Sequence, residues 1–323
     1  MKTLLIAVSI FMSMAPLAFA NICDRGIPGK VVECINPAET SADLPSINRL
    51  NSVMYNQNSP RGSKLFLWMN GTQGKLNPGP AGGSVKPLRV AVDLGYRAIS
   101  VPYDNQKSVV SICPRNPDPD CSAKLRKHRL FDGPESISQR VISLLKYLDK
   151  REPNLFWSDY LKDGHIRWEM VAVSGQSQGA GMAAFIAKHN LVDRAILFSS
   201  PWDFQKTQSR WVLAPWIYER SVTPPDRWFC GYHVREQAAK KLEKAYAALK
   251  IPENHIRRFS LDLDEKTKAR VPYPEHHKKY HGQGIVNEAY KVDWLYFLGA
   301  NHGGTAVSSV NNHEPESTDD DEE

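Results

Sequence analysis

Residues 168–187, Trp-Glu-Met-Val-Ala-Val-Ser-Gly-Gln-Ser-Gln-Gly-Ala-Gly-Met-Ala-Ala-Phe-Ile-Ala, constrain the fold more than any other stretch of the chain. Met170 to Val173 is a short apolar run with two valines, as a strand buried on both faces requires. Gln178 to Ala187 is rich in Gly and Ala, so a helix there can lie close against a sheet. Between them, Gly175-Gln176-Ser177-Gln178-Gly179 fits the pattern G-x-S-x-G in a strand–turn–helix setting. A turn that sharp forces the serine into a strained backbone conformation and lifts its hydroxyl to the top of the sheet, while the glycines are needed where a Cβ would collide. Two glycines around a serine also arise by chance. The strand before and the small-residue helix after are what make Ser177 a candidate nucleophile.

The remaining chain alternates strands with helices. Lys64 to Met69 reads as the first strongly buried strand, ending in the turn Asn70-Gly71-Thr72-Gln73-Gly74. A helix near Pro87 to Leu94, a strand from Tyr96 to Val101 and an amphipathic helix from Ser136 to Leu148, capped by Ser136 or Ser138, lead to the Ser177 stretch. Beyond it come a strand from Arg194 to Phe198, an aromatic and proline-broken stretch at about 204–226 that reads as a small cap over a pocket, and a strand from Arg227 to Tyr232. A helix from Arg235 to Leu249, a strand from Ile256 to Leu263 and a final helix from Val286 to Leu298 complete the series. The alternation predicts an α/β class fold: a doubly wound, mostly parallel sheet covered on both faces, spanning residues 63–303.

The flanks carry a different chemistry. Met1-Lys2-Thr3, an apolar run from Leu4 and the sequence Ala18-Phe19-Ala20 read as a cleavable signal peptide, residues 1–20, which implies a secreted or periplasmic protein with no transmembrane segment. Residues 21–62 read as an irregular leader tied by a disulfide and packed on the outside of the domain. An oxidising compartment makes Cys23–Cys34 and Cys113–Cys121 the economical pairings, since each closes a short loop, and leaves Cys230 as a buried thiol among Trp228, Phe229 and Tyr232. Residues 304–323 read as a disordered acidic tail. Without Lys2 and the seven acids from Glu314 to Glu323, the body holds 40 basic residues against 28 acidic, but they are scattered. That spread describes a solvated surface better than a nucleic-acid interface.

On these motifs, over roughly residues 60–300, the chain resembles the α/β-hydrolases. It is similar more narrowly to a group of secreted serine hydrolases that pair a G-x-S-Q-G elbow with an early strand ending in a P-G-T-G-G-like turn, here Asn70-Gly71-Thr72-Gln73-Gly74 with two departures. The resemblance implies a Ser-acid-His order, an acyl-enzyme and no cofactor. An oxyanion hole would come from the backbone N–H groups of Gln178 and Thr72, with Gln73 as the alternate. Asp203, Asp226 and Glu236 compete for the acid. The related group carries its carboxylate in an H-x-x-D setting, which His233-Val234-Arg235-Glu236 matches with Glu for Asp, so Glu236 is favoured over Asp203; as a plain structural residue it would be an acid in the first turn of a helix. His281, before a short β-branched run and Trp294, is favoured as base over His302. Glu275 to His281 matches no standard zinc spacing, and two lysines there oppose a cation. The expected function is an esterase for small-molecule or lipid-like esters; a non-catalytic binding protein on the same fold and a lipase or peptidase variant are the alternatives.

Overall fold

Alternate residues of the buried strands feed two different layers, and this sets the architecture. The computed structural model describes residues 27–44, 49–74, 85–206, 210–270 and 276–300. In β3 (Leu65–Met69), Leu65, Leu67 and Met69 pack into one apolar cluster while Phe66 and Trp68 pack into another, the period-2 alternation of a strand buried on both faces. The first cluster also takes apolar residues from α3 (Ile137–Arg151), α4 (Gln178–His189) and α5 (Ala239–Ala248). The second is closed by α1 (Val85–Asp93) and α6 (Lys291–Phe297), through Leu88, Val92, Trp294 and Phe297.

Eight strands form the central sheet: β1 (Val31–Ile35), β2 (Asn51–Tyr55), β3, β4 (Arg97–Ser100), β5 (Val171–Gln176), β6 (Arg194–Phe198), β7 (Trp228–His233) and β8 (Ile256–Phe259). Their order across the sheet is β1-β2-β4-β3-β5-β6-β7-β8. Only β2 runs antiparallel to its neighbours; the other pairs are parallel. From β3 the chain moves outward to β4 and then returns past β3 to β5, so the winding reverses between β3 and β5. In open α/β sheets ligands bind at the carboxyl ends of the strands at such a reversal. The turn Asn70–Gly74 follows β3 and Ser177 follows β5, so both sit at that point.

The sheet differs from the sequence reading at its first edge. Val31–Ile35 and Asn51–Tyr55, expected in an irregular leader at 21–62, are the two outer strands of the main sheet, and β2 is buried throughout. Half-exposed β1 shows no clean alternation, and Asn51 and Ser52 disguise β2, because its polar residues are buried too. The helix after β7 starts at Ala239 rather than Arg235, and β8 ends at Phe259 rather than Leu263. The final helical region is split into Gln283–Val286, Glu288–Tyr290 and α6. Since Lys291–Phe297 is helical, β8 is the last strand of the sheet among the described residues.

Cys113 and Cys121 are bonded, joining the short helix Val109–Ile112 to α2 (Cys121–Phe131). Cys34 is disulfide-bonded, and its expected partner Cys23 lies outside the described residues. Cys230 is a free, fully buried thiol in β7, where burial pushes its ionisation well up. Among the described residues no helix is long and apolar enough to cross a membrane; the expected signal peptide and acidic tail lie outside them.

Candidate active site

Ser177 leaves β5 with φ 55° and ψ −126° and heads α4. Non-glycine residues avoid this region, and the surroundings hold it: the Ser177 N–H donates to the Phe198 carbonyl of β6 (2.9 Å), and its own carbonyl accepts from Gly181 N–H (3.1 Å). A Cβ at Gly179 would lie 2.0 Å from the Met69 carbonyl oxygen, and one at Gly175 2.5 Å from the same atom. The two glycines thus let α4 start directly against the end of β3, so the tight contact explains the motif.

The turn after β3 is fixed from outside. Asn105 Nδ2 donates to the carbonyls of Gly71 (2.7 Å) and Gly74 (3.1 Å), the Asn105 carbonyl accepts from Gln73 N–H (2.8 Å), and Arg49 donates to Asn105 Oδ1. Asn70 accepts from Trp68 Nε1 at its side chain and from the Tyr103 hydroxyl at its carbonyl. The Gln73 N–H is spent on Asn105, whereas Thr72 lines the cavity in front of Ser177. Gln178, the other expected donor, is buried in that lining; its side-chain oxygen accepts from Val109 N–H (3.0 Å) and Arg129 Nη1 (3.3 Å).

Across the sheet, the turn after β7 carries Glu236. Its side chain is fully buried, and three donors converge on it: His281 Nδ1 on Oε2 (2.5 Å), and the Ser199 hydroxyl (2.8 Å) and His233 N–H (3.1 Å) on Oε1. Glu236 precedes α5 instead of opening it, so the helix first-turn explanation for this residue falls away. A carboxylate accepts hydrogen bonds, so His281 Nδ1 carries the proton and Nε2 is the ring nitrogen left to accept one.

His281 sits between the short helices His276–Tyr280 and Gln283–Val286, after β8 and before α6. Its carbonyl accepts from Gln176 Nε2 (3.2 Å), the side chain next to Ser177, and lies 3.3 Å from the Ser199 hydroxyl, whose proton goes to Glu236. Three residues on, Gly284 packs where a Cβ would lie 2.6 Å from the Phe259 ring, and its carbonyl accepts from Trp294 Nε1 (2.7 Å). The tryptophan noted in the sequence therefore holds the histidine loop on the sheet.

The competing acids lie elsewhere. Asp203 is buried in a bidentate pair with Arg126 (Nε–Oδ2 2.7 Å, Nη2–Oδ1 2.5 Å) and accepts from Trp216 Nε1. Asp226 is exposed in the turn before β7, at the opposite edge of the sheet. His302 and the side chains of His276 and His277 lie outside the described residues.

A cavity of about 210 Å³ opens in front of Ser177, lined by Thr72, Ser108, Val109, Gln178, Trp202 and the Arg126–Asp203 pair among others. The expected cap at 204–226 begins directly after Asp203 of that wall. That stretch forms a hairpin, Phe204–Lys206 with Trp211–Leu213, and the short helix Pro215–Tyr218, whose Trp216 and Ile217 turn into the core. The wall takes Ser108 to Val110 and Arg126 from the disulfide-stapled region.

This strand order with one antiparallel strand, and a strained serine at the point of reversal, define the α/β-hydrolase fold. No family model matches the chain, and no curated protein does. Among solved structures it is similar to Thermogutta terrifontis esterase 2 (12% identity, TM-score 0.41, covering 84% of this chain and 92% of that one). Esterase B from Lactobacillus rhamnosis is similar at 11% identity and TM-score 0.42, covering 84% and 86%. Pyrococcus horikoshii acylaminoacyl peptidase is similar at 10% identity and TM-score 0.43, covering 84% of this chain and 42% of that one. At that level the likeness is one of architecture and says nothing of the site.

Proposed function

We propose that the protein is an exported serine esterase working through an acyl-enzyme, with Ser177 as nucleophile, His281 as general base and acid, and Glu236 as the residue that orients the imidazole. The observation that carries this reading is the short contact between His281 Nδ1 and buried Glu236, on a histidine loop tied through Gln176 to the strained serine. Ser177 attacks the ester carbonyl while His281 Nε2 takes its proton; the tetrahedral oxyanion is met by the N–H groups of Gln178 and Thr72. His281 then gives the proton to the leaving alkoxide, and water, activated by the same histidine, releases the acid. Glu236 keeps the proton on Nδ1 and stabilises the imidazolium that forms in each half-reaction. No cofactor takes part.

The test is covalent. A fluorophosphonate probe should label Ser177 in the intact protein, with the modified peptide identified by mass spectrometry. Ser177→Ala should lose both the label and the turnover of p-nitrophenyl acetate, by about 10⁵-fold or more. Labelling elsewhere, or turnover retained by Ser177→Ala, refutes the assignment.

A further inference from the structure

The cavity in front of Ser177 contains a feature that acyl transfer does not need. The Arg126 and Asp203 side chains, both at least 98% buried, form part of its wall. Arg126 also packs flat on Gly181 in α4: a Cβ there would lie 2.3 Å from Nη2. The pair is stapled into place, since Arg126 sits on α2 just after Cys121 while Asp203 follows β6. Burying two charges is expensive, and replacing such a pair by apolar residues is often neutral or stabilising. Its position beside the nucleophile therefore calls for a role in recognition.

We infer that this pair selects esters whose acyl group is short and carries a hydroxyl. The inference rests on the proposed nucleophilic role of Ser177. The hydrogen-bond inventory supplies the chemistry. Arg126 gives Nε and Nη2 to Asp203, and its Nη1 is buried with no hydrogen-bond partner. Asp203 Oδ2 accepts from Arg126 Nε and Trp216 Nε1, while Oδ1 accepts only from Arg126 Nη2. Both N–H groups of Arg126 Nη1 and one acceptor position on Asp203 Oδ1 are thus left on an electrically closed pair, and a hydroxyl is a small neutral group that accepts and donates at a single atom. A carboxylate on the acyl chain would add a second anion beside Asp203, an ammonium would face Arg126, and a plain alkyl chain would leave both positions unmet. Size points the same way. About 210 Å³ lies below the range of pockets that take drug-sized ligands, and a hydroxybutyryl group has six heavy atoms.

The experiment compares ethyl butyrate with ethyl 2-hydroxybutyrate and ethyl 3-hydroxybutyrate, followed by pH-stat titration, each kcat/KM divided by the ester's own rate with hydroxide. At least one hydroxy ester should exceed butyrate by about tenfold or more, as expected where a site's buried polar groups meet a substrate hydroxyl. In Arg126→Met/Asp203→Leu, which removes both charges together, that ratio should fall to about one or below. Free 3-hydroxybutyrate should inhibit the wild-type protein more strongly than butyrate, a measurement that holds even if the double variant does not fold. Butyrate equal to or better than both hydroxy esters in the wild-type protein overturns the inference and leaves the esterase reading standing, whereas no turnover of any ester, with no fluorophosphonate labelling, overturns both.

Discussion

Two buried carboxylates lie around Ser177, and they differ in one respect that decides what each does. Asp203 is paired with an arginine, whose guanidinium only donates hydrogen bonds; Glu236 is paired with a histidine, whose ring has a second nitrogen that can accept one. Both have side chains at most 1% exposed, and each accepts three hydrogen bonds. A carboxylate locked to a guanidinium can shape a pocket, but it has no partner that can take a proton and return it. A carboxylate on a histidine makes that histidine a better base and steadies it once protonated. Burial alone therefore does not mark a catalytic acid; the partner does.

The comparison breaks most sharply in Glu236→Gln. The amide keeps the volume but presents His281 with a group that can donate, so the imidazole no longer has one fixed tautomer. Turnover of p-nitrophenyl acetate should drop about 10³-fold or more, with little change in urea midpoint, and His281→Ala should match it. His302→Ala, tested alongside, should change turnover little. A large loss with His302→Ala and a small one with His281→Ala would move the base to the far side of α6.

Asp203→Asn should show the opposite profile. It leaves Arg126 buried without its counter-charge, which costs about 3–5 kcal/mol of stability, read as a lowered urea midpoint. For p-nitrophenyl acetate, whose acyl group is too short to use the pair, kcat should fall less than tenfold. A fall of 10³-fold in a folded Asp203→Asn protein would mean that Asp203, and not Glu236, is the working acid.

How far the site was legible follows from how locally each part is determined. Ser177 is announced by five consecutive residues, because both glycines answer clashes with Met69 that the turn itself creates. Chain order left three acids and more than one histidine open, and Glu236 and His281 were favoured only through the H-x-x-D-like setting and the tryptophan-containing stretch of the related group; in the structure their side chains meet, and Trp294 anchors the histidine loop. The choice between Thr72 and Gln73 was not readable, since it turns on the carbonyl of Asn105 in another loop. Nor was the Arg126–Asp203 pair, whose members lie 77 positions apart in sequence. The first two strands escaped for a related reason: their polar residues and the prolines and asparagines around them carry the signature of a loop, and only pairing with Arg97–Ser100 makes them part of the sheet.

The smallest expected effect concerns a residue hydrogen-bonded to the Glu236–His281 pair. His233 ends β7 fully buried; its N–H donates to Glu236 Oε1, its Nδ1 accepts from Arg235 N–H (3.1 Å), and its Nε2 meets the Leu261 carbonyl (2.8 Å). Those partners fix the tautomer with the proton on Nε2. The ring stacks on Tyr280 at 4.3 Å between centroids, and Tyr280 directly precedes His281. Burial is the main reason its ionisation is pushed below the usual histidine range, with Arg235 acting in the same direction and Leu261, Glu236 and Asp262 against it. Because the folded protein binds that proton less readily than the unfolded chain, stability conferred by neutral His233 is present above the unfolded value of about 6.5 and declines as pH falls from there through the folded value. His233→Phe keeps the ring and its stacking but removes both side-chain hydrogen bonds, so it should reduce kcat about tenfold with KM within threefold, because His233 does not line the substrate cavity. The same variant should flatten the loss of urea stability below pH 6.5. A variant that loses stability while keeping full kcat in its folded fraction would make His233 a structural residue only, and a change in KM larger than that in kcat would place it against the substrate.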